Sequence, residues 1–152
     1  MKRIYTFGHE QVERNITVGD IISNKNNNIK MTQVTAANRE EASIIAEQNI
    51  DMIITGSDWY EDVRKGAPNT FITAALFAGR FITNEEILRG AFDVMMKGAD
   101  SVLTPRSFDV VEMLAKEGMQ VQGHVWAWFH QWQLNMVGLE RLVKQPKKLC
   151  QY

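Results

Sequence analysis

The chain has 152 residues, 45% of them hydrophobic and 23% charged, enough for one domain with its own core and too little for two. A formal net charge of −1 excludes a global field aimed at nucleic acid or an anionic membrane, and a single cysteine, Cys150, excludes a disulfide framework or a multi-thiolate zinc site. No apolar run reaches the length of a signal peptide near the start or of a membrane span anywhere, so the expectation is a cytoplasmic protein with small-molecule or protein partners.

Residues 1–28 form an N-terminal arm. Ile16–Ile22 suits a short helical turn weakened by Gly19, and Asn24–Asn28 is a run of turn-forming side chains that closes the arm. Ile29–Thr35 then has the β-branched, apolar character of a strand. Asn38 with Glu41 opens a helix in the manner of a capping box, and Ala42, Ile44 and Ile45 give that helix an apolar face. Ile50–Gly56 is almost continuously apolar, as a strand covered on both faces would be. A turn-rich segment, Ser57–Asn69, follows it.

Thr70–Leu76 makes the next strand. Thr83 and Glu86 form a second capping box before a helix carrying Ile87, Ala91, Val94 and Met95 on one side, with Gly98 as its stop. Asp100–Thr104 is a short strand, and Ser107 caps a helix with a Val110, Val111, Leu114 stripe that Gly118 ends. Met119–His124 is the last strand. Five strands joined by helix-length connections predict an α/β fold with a parallel sheet, since parallel neighbours need a crossover of about a dozen residues or more.

Such a sheet can be open and doubly wound or curl into a (β/α) barrel. The turn after the first strand, Thr35–Glu41, has no Gly-rich phosphate fingerprint, which removes support for a dinucleotide-binding sheet. In a barrel, these would be five of eight strands, an incomplete cylinder over residues 29–125.

The string Val63–Asn69 (VRKGAPN), the capped helix ending in Lys97-Gly98-Ala99-Asp100 and the strand-terminal Gly123-His124 together resemble the ketopantoate (3-methyl-2-oxobutanoate) hydroxymethyltransferase family of the phosphoenolpyruvate/pyruvate-binding barrels. Thr17–Ile21 and Lys30–Ala36 sit where that family has its opening helix and first strand, so the likeness runs over about residues 16–124. It implies a cytoplasmic enzyme of pantothenate and coenzyme A biosynthesis, transferring a hydroxymethyl unit from methylenetetrahydrofolate to a branched 2-oxo acid with the help of magnesium. Hard oxygen ligands suit that ion, which polarises a 2-oxo acid toward its enolate.

The chain departs from the family at the metal. The family's Gly-Asp-Ser is here Gly56-Ser57-Asp58, its second metal aspartate falls at Ala75, and its metal glutamate falls near Pro105. Asp58 is then the one metal ligand expected to persist. The family's acid/base glutamate lies in the half of the barrel beyond these strands, so no catalytic residue is assigned.

The candidate substrate-binding residues are Ser57, Asp58, Arg106 and His124, all at the carboxyl ends of strands, where sites on parallel sheets gather. Asp58 could equally hold a turn or cap a helix, and Ser57 could cap the same turn. Arg106 could clamp a carboxylate or be a solvated arginine at a helix start, and His124 could donate to a carboxylate or be structural. His9 and His130 lack supporting context, and Met95-Met96 is core filling. Glu40, Glu41, Glu85 and Glu86 lie in first helical turns, where they favour the macrodipole.

Residues 126–152 change character, with Trp126, Trp128 and Trp132 in a seven-residue window. Tryptophan has one codon, TGG, and shifting the frame to the last base of the Val125 codon lets the same nucleotides spell Gly-Leu-Val-Pro-Ser, the family's continuation after Gly-His. The expectation is an out-of-frame tail on a truncated barrel. A half barrel leaves two strand edges and an apolar face open, which predicts homo-oligomers.

Overall fold

In the computed structural model, residues 1–124 are described. The expected out-of-frame segment 126–152, with its tryptophans and His130, lies outside them. No helix among the described residues is long and apolar enough to cross a membrane.

The arm folds into more than a helical turn. Strands β1 (Lys2–Tyr5) and β2 (Gln11–Arg14) pair antiparallel in a hairpin. The turn between them places His9 at φ 64° and ties the Thr6 and Glu10 backbones together at 2.8 Å. Helix α1 (Val18–Asn26) begins at a full capping box, Thr17 with Asp20, and runs through two asparagines of the predicted breaker, Asn24 and Asn26. The chain turns only at Asn27 and Asn28, the latter at φ 56°. Asparagine tolerates that left-handed conformation better than most residues.

The body alternates strand and helix: β3 (Gln33–Thr35), α2 (Arg39–Glu47), β4 (Met52–Gly56), α3 (Tyr60–Gly66), β5 (Phe71–Ala75), α4 (Asn84–Met96), β6 (Ser101–Thr104), α5 (Phe108–Lys116) and β7 (Val121–Gly123). The five strands form one parallel sheet in the order β3-β4-β5-β6-β7. Neighbours in sequence are neighbours in space throughout. A doubly wound sheet reverses its strand order at a switch point, and this one has no reversal.

The caps follow the sequence closely. Asn38 accepts from the Glu41 amide, and Thr83 and Glu86 satisfy each other's backbone N–H groups. Ser107 occupies the N-cap of α5 but makes no capping hydrogen bond. Ala42 is buried on α2 and Ile45 partly so, whereas Ile44, expected on the same apolar face, is 63% exposed because it projects from the far side of the helix. The turn-rich segment contains α3, whose N-cap position holds Trp59 with no side-chain capping bond.

Alternation along the strands gives the sheet two faces. Ile53, Ile72, Ala74 and Val102 pack against Ala42, Tyr60, Val63, Ile87, Ala91, Val94, Val110 and Leu114 from the helices, and this is the core. The opposite pleat carries Gln33, Met52, Phe71, Thr73, Ser101, Leu103 and Gln122. Across it the Thr73 and Ser101 hydroxyls meet at 2.7 Å, and the Gln122 amide reaches Gln33 at 3.5 Å. That second contact joins the first and last strands of the sheet, so the sheet is curled rather than flat.

Candidate functional site

Two clusters of charge stand at opposite ends of the sheet. At the amino end, Arg14 of β2 donates from Nε to Asp100 Oδ1 at 2.7 Å, and Arg64 of α3 donates from Nη2 to Asp100 Oδ2 at 2.7 Å. The Ile72 amide donates to the same carboxylate at 2.8 Å. Backbone carbonyls accept further guanidinium protons: those of Glu13, Pro68 and Gly98 from Arg14, and those of Ala67, Pro68 and Thr70 from Arg64. Arg64 Nε also donates to the Tyr60 hydroxyl at 3.0 Å. Burial pushes the Tyr60 phenol above its ordinary pKa, against the pull of Arg64, and keeps it neutral.

Asn15 extends the same junction. Its backbone N–H donates to Asn69, its side-chain amide donates to the Asp51 carbonyl, and its side-chain oxygen accepts from the Phe71 amide. The Asp100 carboxylate is taken up by donors of the protein itself, so the cluster is a brace between the hairpin and the sheet. Arg64 belongs to the VRKGAPN string and Asp100 to KGAD, so two motifs 36 positions apart are partners. Gly66 of the first is equally structural: a Cβ there would lie 2.2 Å from the Arg39 carbonyl oxygen, where α3 crosses α2. A recess of about 240 Å³, lined by Ile4, Thr6, Thr17, Asp100 and Gln120 among others, lies beside the brace, at the end of the sheet where parallel folds place stability rather than chemistry.

The carboxyl ends of the strands hold the four sequence-predicted site residues. Ser57 follows β4; its amide donates to the Ala75 carbonyl at 3.0 Å, and its hydroxyl is buried with no partner. Asp58 lies in the turn before α3 and pairs with Arg80, each side chain more than half exposed. Arg106 follows β6. Its Nη1 donates to the Phe81 carbonyl at 2.8 Å and to that of Ile82, and its amide donates to the Thr104 hydroxyl. His124 is exposed, its amide continuing the β6–β7 ladder onto the Thr104 carbonyl at 3.0 Å.

Asp58 and Arg106 thus reach the same loop, Phe77–Ile82, from strands on either side of β5, while Arg106 and His124 flank Thr104. Sequence reasoning passed over that loop. It brings Arg80, whose guanidinium lies 5.7 Å from the Phe81 ring centre, and Phe77, which meets Trp59 edge to face at 6.5 Å. The aromatic pair closes over Gly56, where a Cβ would come within 2.9 Å of the Phe77 ring. The available signal was an arginine one turn past a buried strand, beside aromatics, in the same register as the other strand-end residues.

Magnesium requires several hard oxygen ligands in near-octahedral array. Among the described residues no three His, Cys, Asp or Glu side chains come together, and Asp58 is already paired with a cation. The side chains present do not fit that ion. What they offer is a guanidinium with a displaceable carboxylate, beside an apolar wall and an unpaired hydroxyl.

No protein-family model matches the chain. It is 41% identical over 69 residues to a protein of Deinococcus radiodurans, a match covering 41% of this chain and 24% of that protein. It is 28% identical over 135 residues to one of Kosmotoga olearia, covering 72% of this chain and 50% of that one. Both relatives are named 3-methyl-2-oxobutanoate hydroxymethyltransferase. The matched part spans about half the length of the longer-matching relative and a quarter of the other.

Proposed function

We propose that this chain is of hydroxymethyltransferase lineage and carries, over residues 29–125, the first five strands of a (β/α) barrel, with the site for a branched 2-oxo acid at their carboxyl ends. The observation that carries the reading is the shared name of the two relatives, joined to a sheet whose consecutive strands are all parallel neighbours. The curl supports it too. In an eight-stranded barrel the first and fifth strands stand opposite one another across the interior, and Gln33 and Gln122 touch across one sheet face.

In the complete reaction methylenetetrahydrofolate would supply the one-carbon unit; the family's magnesium is an ion the described side chains do not fit, Asp58 being paired with Arg80. In this reading Ser57, Asp58, Arg106 and His124 line the substrate site, and hydroxymethyl transfer is impaired because the family's other metal ligands are replaced at Ala75 and near Pro105. The continuation of the barrel lies in the alternative frame through residues 126–152.

A second reading, a non-catalytic barrel fragment that associates with itself, draws on the edges of β3 and β7, unpaired among the described residues, and on the partly exposed Met52, Ile54 and Leu103 of the inner face. One comparison separates the two. The given chain and a frame-restored chain are assayed for retro-aldol cleavage of ketopantoate and for concentration-dependent association. Activity gained on restoration, with self-association lost, is the expected result. A restored chain that neither folds nor turns over would overturn the lineage, and a locus without family-like codons in the other frame would overturn the frame shift.

A further inference from the structure

The sequence alone puts Arg106 forward as the carboxylate clamp, yet its Nη1 is occupied by the Phe81 and Ile82 carbonyls. Those bonds hold the carbonyl side of the Phe77–Ile82 loop, whose own amides fold back from Arg80 and Phe81 onto the Phe77 carbonyl at 3.0 and 3.2 Å. Arg106 is a positioning residue. The cation it positions is Arg80, which projects to solvent with Asp58 as its partner.

We propose that Arg80 is the carboxylate-binding cation of this site, that Asp58 occupies it in the ligand-free chain, and that a small apolar-tailed carboxylate binds by displacing Asp58, without a divalent cation. The proposal rests on the 2-oxo acid reading above and deepens it. Three observations carry it. The Asp58 and Arg80 side chains are 53% and 57% exposed, so water can take over the released carboxylate, and an ion pair in that setting is weakly held. A guanidinium presents a planar fork that matches any carboxylate, so an incoming acid can reproduce the contact that Asp58 gives up. Phe81 lies beside the fork, and Phe77 of the same loop, paired edge to face with Trp59, is about half exposed, which gives an apolar tail a surface to cover.

The exchange also accounts for the mismatch between these residues and a metal. A carboxylate neutralised by a guanidinium is a poor ligand for a cation, and a guanidinium does for the substrate's charge what a metal would otherwise do.

Isothermal titration of the full chain tests this with 3-methyl-2-oxobutanoate, 3-methylbutanoate and the carboxylate-free 3-methylbutan-2-one, each in chelator and again in excess magnesium. Each acid is expected to bind with the same affinity in both buffers, 3-methyl-2-oxobutanoate more tightly than 3-methylbutanoate, and the ketone not at all. Arg80→Gln should weaken the acids roughly tenfold, the loss of a charge-assisted pair. Asp58→Asn should tighten them, a gain that a misfolded variant cannot mimic. Magnesium-dependent binding, or Arg80→Gln leaving the acids unaffected, would overturn the exchange while leaving the 2-oxo acid reading intact. If 3-methylbutanoate binds through Arg80 as tightly as the oxo acid, the exchange stands and the oxo-acid preference falls. If neither acid binds the native chain or Asp58→Asn, both are overturned.

Discussion

Asp100 and Asp58 each face arginine, and the contrast between them separates scaffold from site. Asp100 is 4% exposed, with Arg14 at 3% and Arg64 at 16%, so its charge has no alternative to the two guanidiniums. Asp58 and Arg80 remain in water, and either can change partner at little cost. Two of the three motifs that gave the chain its resemblance, VRKGAPN and KGAD, lie at the first of these places. They record how the hairpin, α3 and the strands are tied together, and a protein could keep them after losing its chemistry.

The largest effect that would sharpen this contrast is expected from Asp100→Asn. It leaves two buried guanidiniums facing a neutral amide and should cost about 3–5 kcal/mol in urea unfolding. Asp58→Asn should stay within about 1 kcal/mol of the native chain. Equal losses would erase the distinction. Gly66→Ala comes next: its methyl would collide with the Arg39 carbonyl and force α2 from α3, at about 1–3 kcal/mol.

Thr83→Ala removes a capping bond that is made and should cost about 1 kcal/mol, while Ser107→Ala removes none and should be close to neutral in the same melts. The smallest effect concerns pH. A hydrogen bond from Lys2, with help from Thr17, lowers the Asp20 pKa to about 2. A carboxyl group depressed on folding contributes stability above its unfolded pKa and loses it as pH falls through the folded value. The arm should therefore loosen between about pH 4 and pH 2, and Lys2→Met should move that loosening upward, measured by amide exchange at Asp20 and Ile21.

Much of the body was legible from local signals. Ile87, Ala91, Val94 and Met95 line one face of α4 as their spacing predicts, and Gly98 and Gly118 end their helices at φ 93° and 80°. The hairpin and α3 were not legible. Lys2–Tyr5 and Gln11–Arg14 are short and charged, and they are anchored by Arg14 and Asn15 reaching residues far along the chain. Helix α3 has seven residues and no polar cap, and it is stabilised by burying Tyr60 and Val63 and by seating Gly66 on α2. Arg80 was missed because nothing local distinguishes it from a solvated arginine.

The sequence by itself determined the alternation of strand and helix, the caps and stops, and the strand-end positions of Ser57, Asp58, Arg106 and His124, because periodicity, capping and glycine conformation act over a few residues. Only the tertiary structure decided which arginine each aspartate meets. Arg14 and Asp100 are 86 positions apart, and Arg80 reaches Asp58 because β4 and β5 lie side by side. Charge has no period and no direction along a chain, so its partners are chosen by the packing of the apolar residues around it.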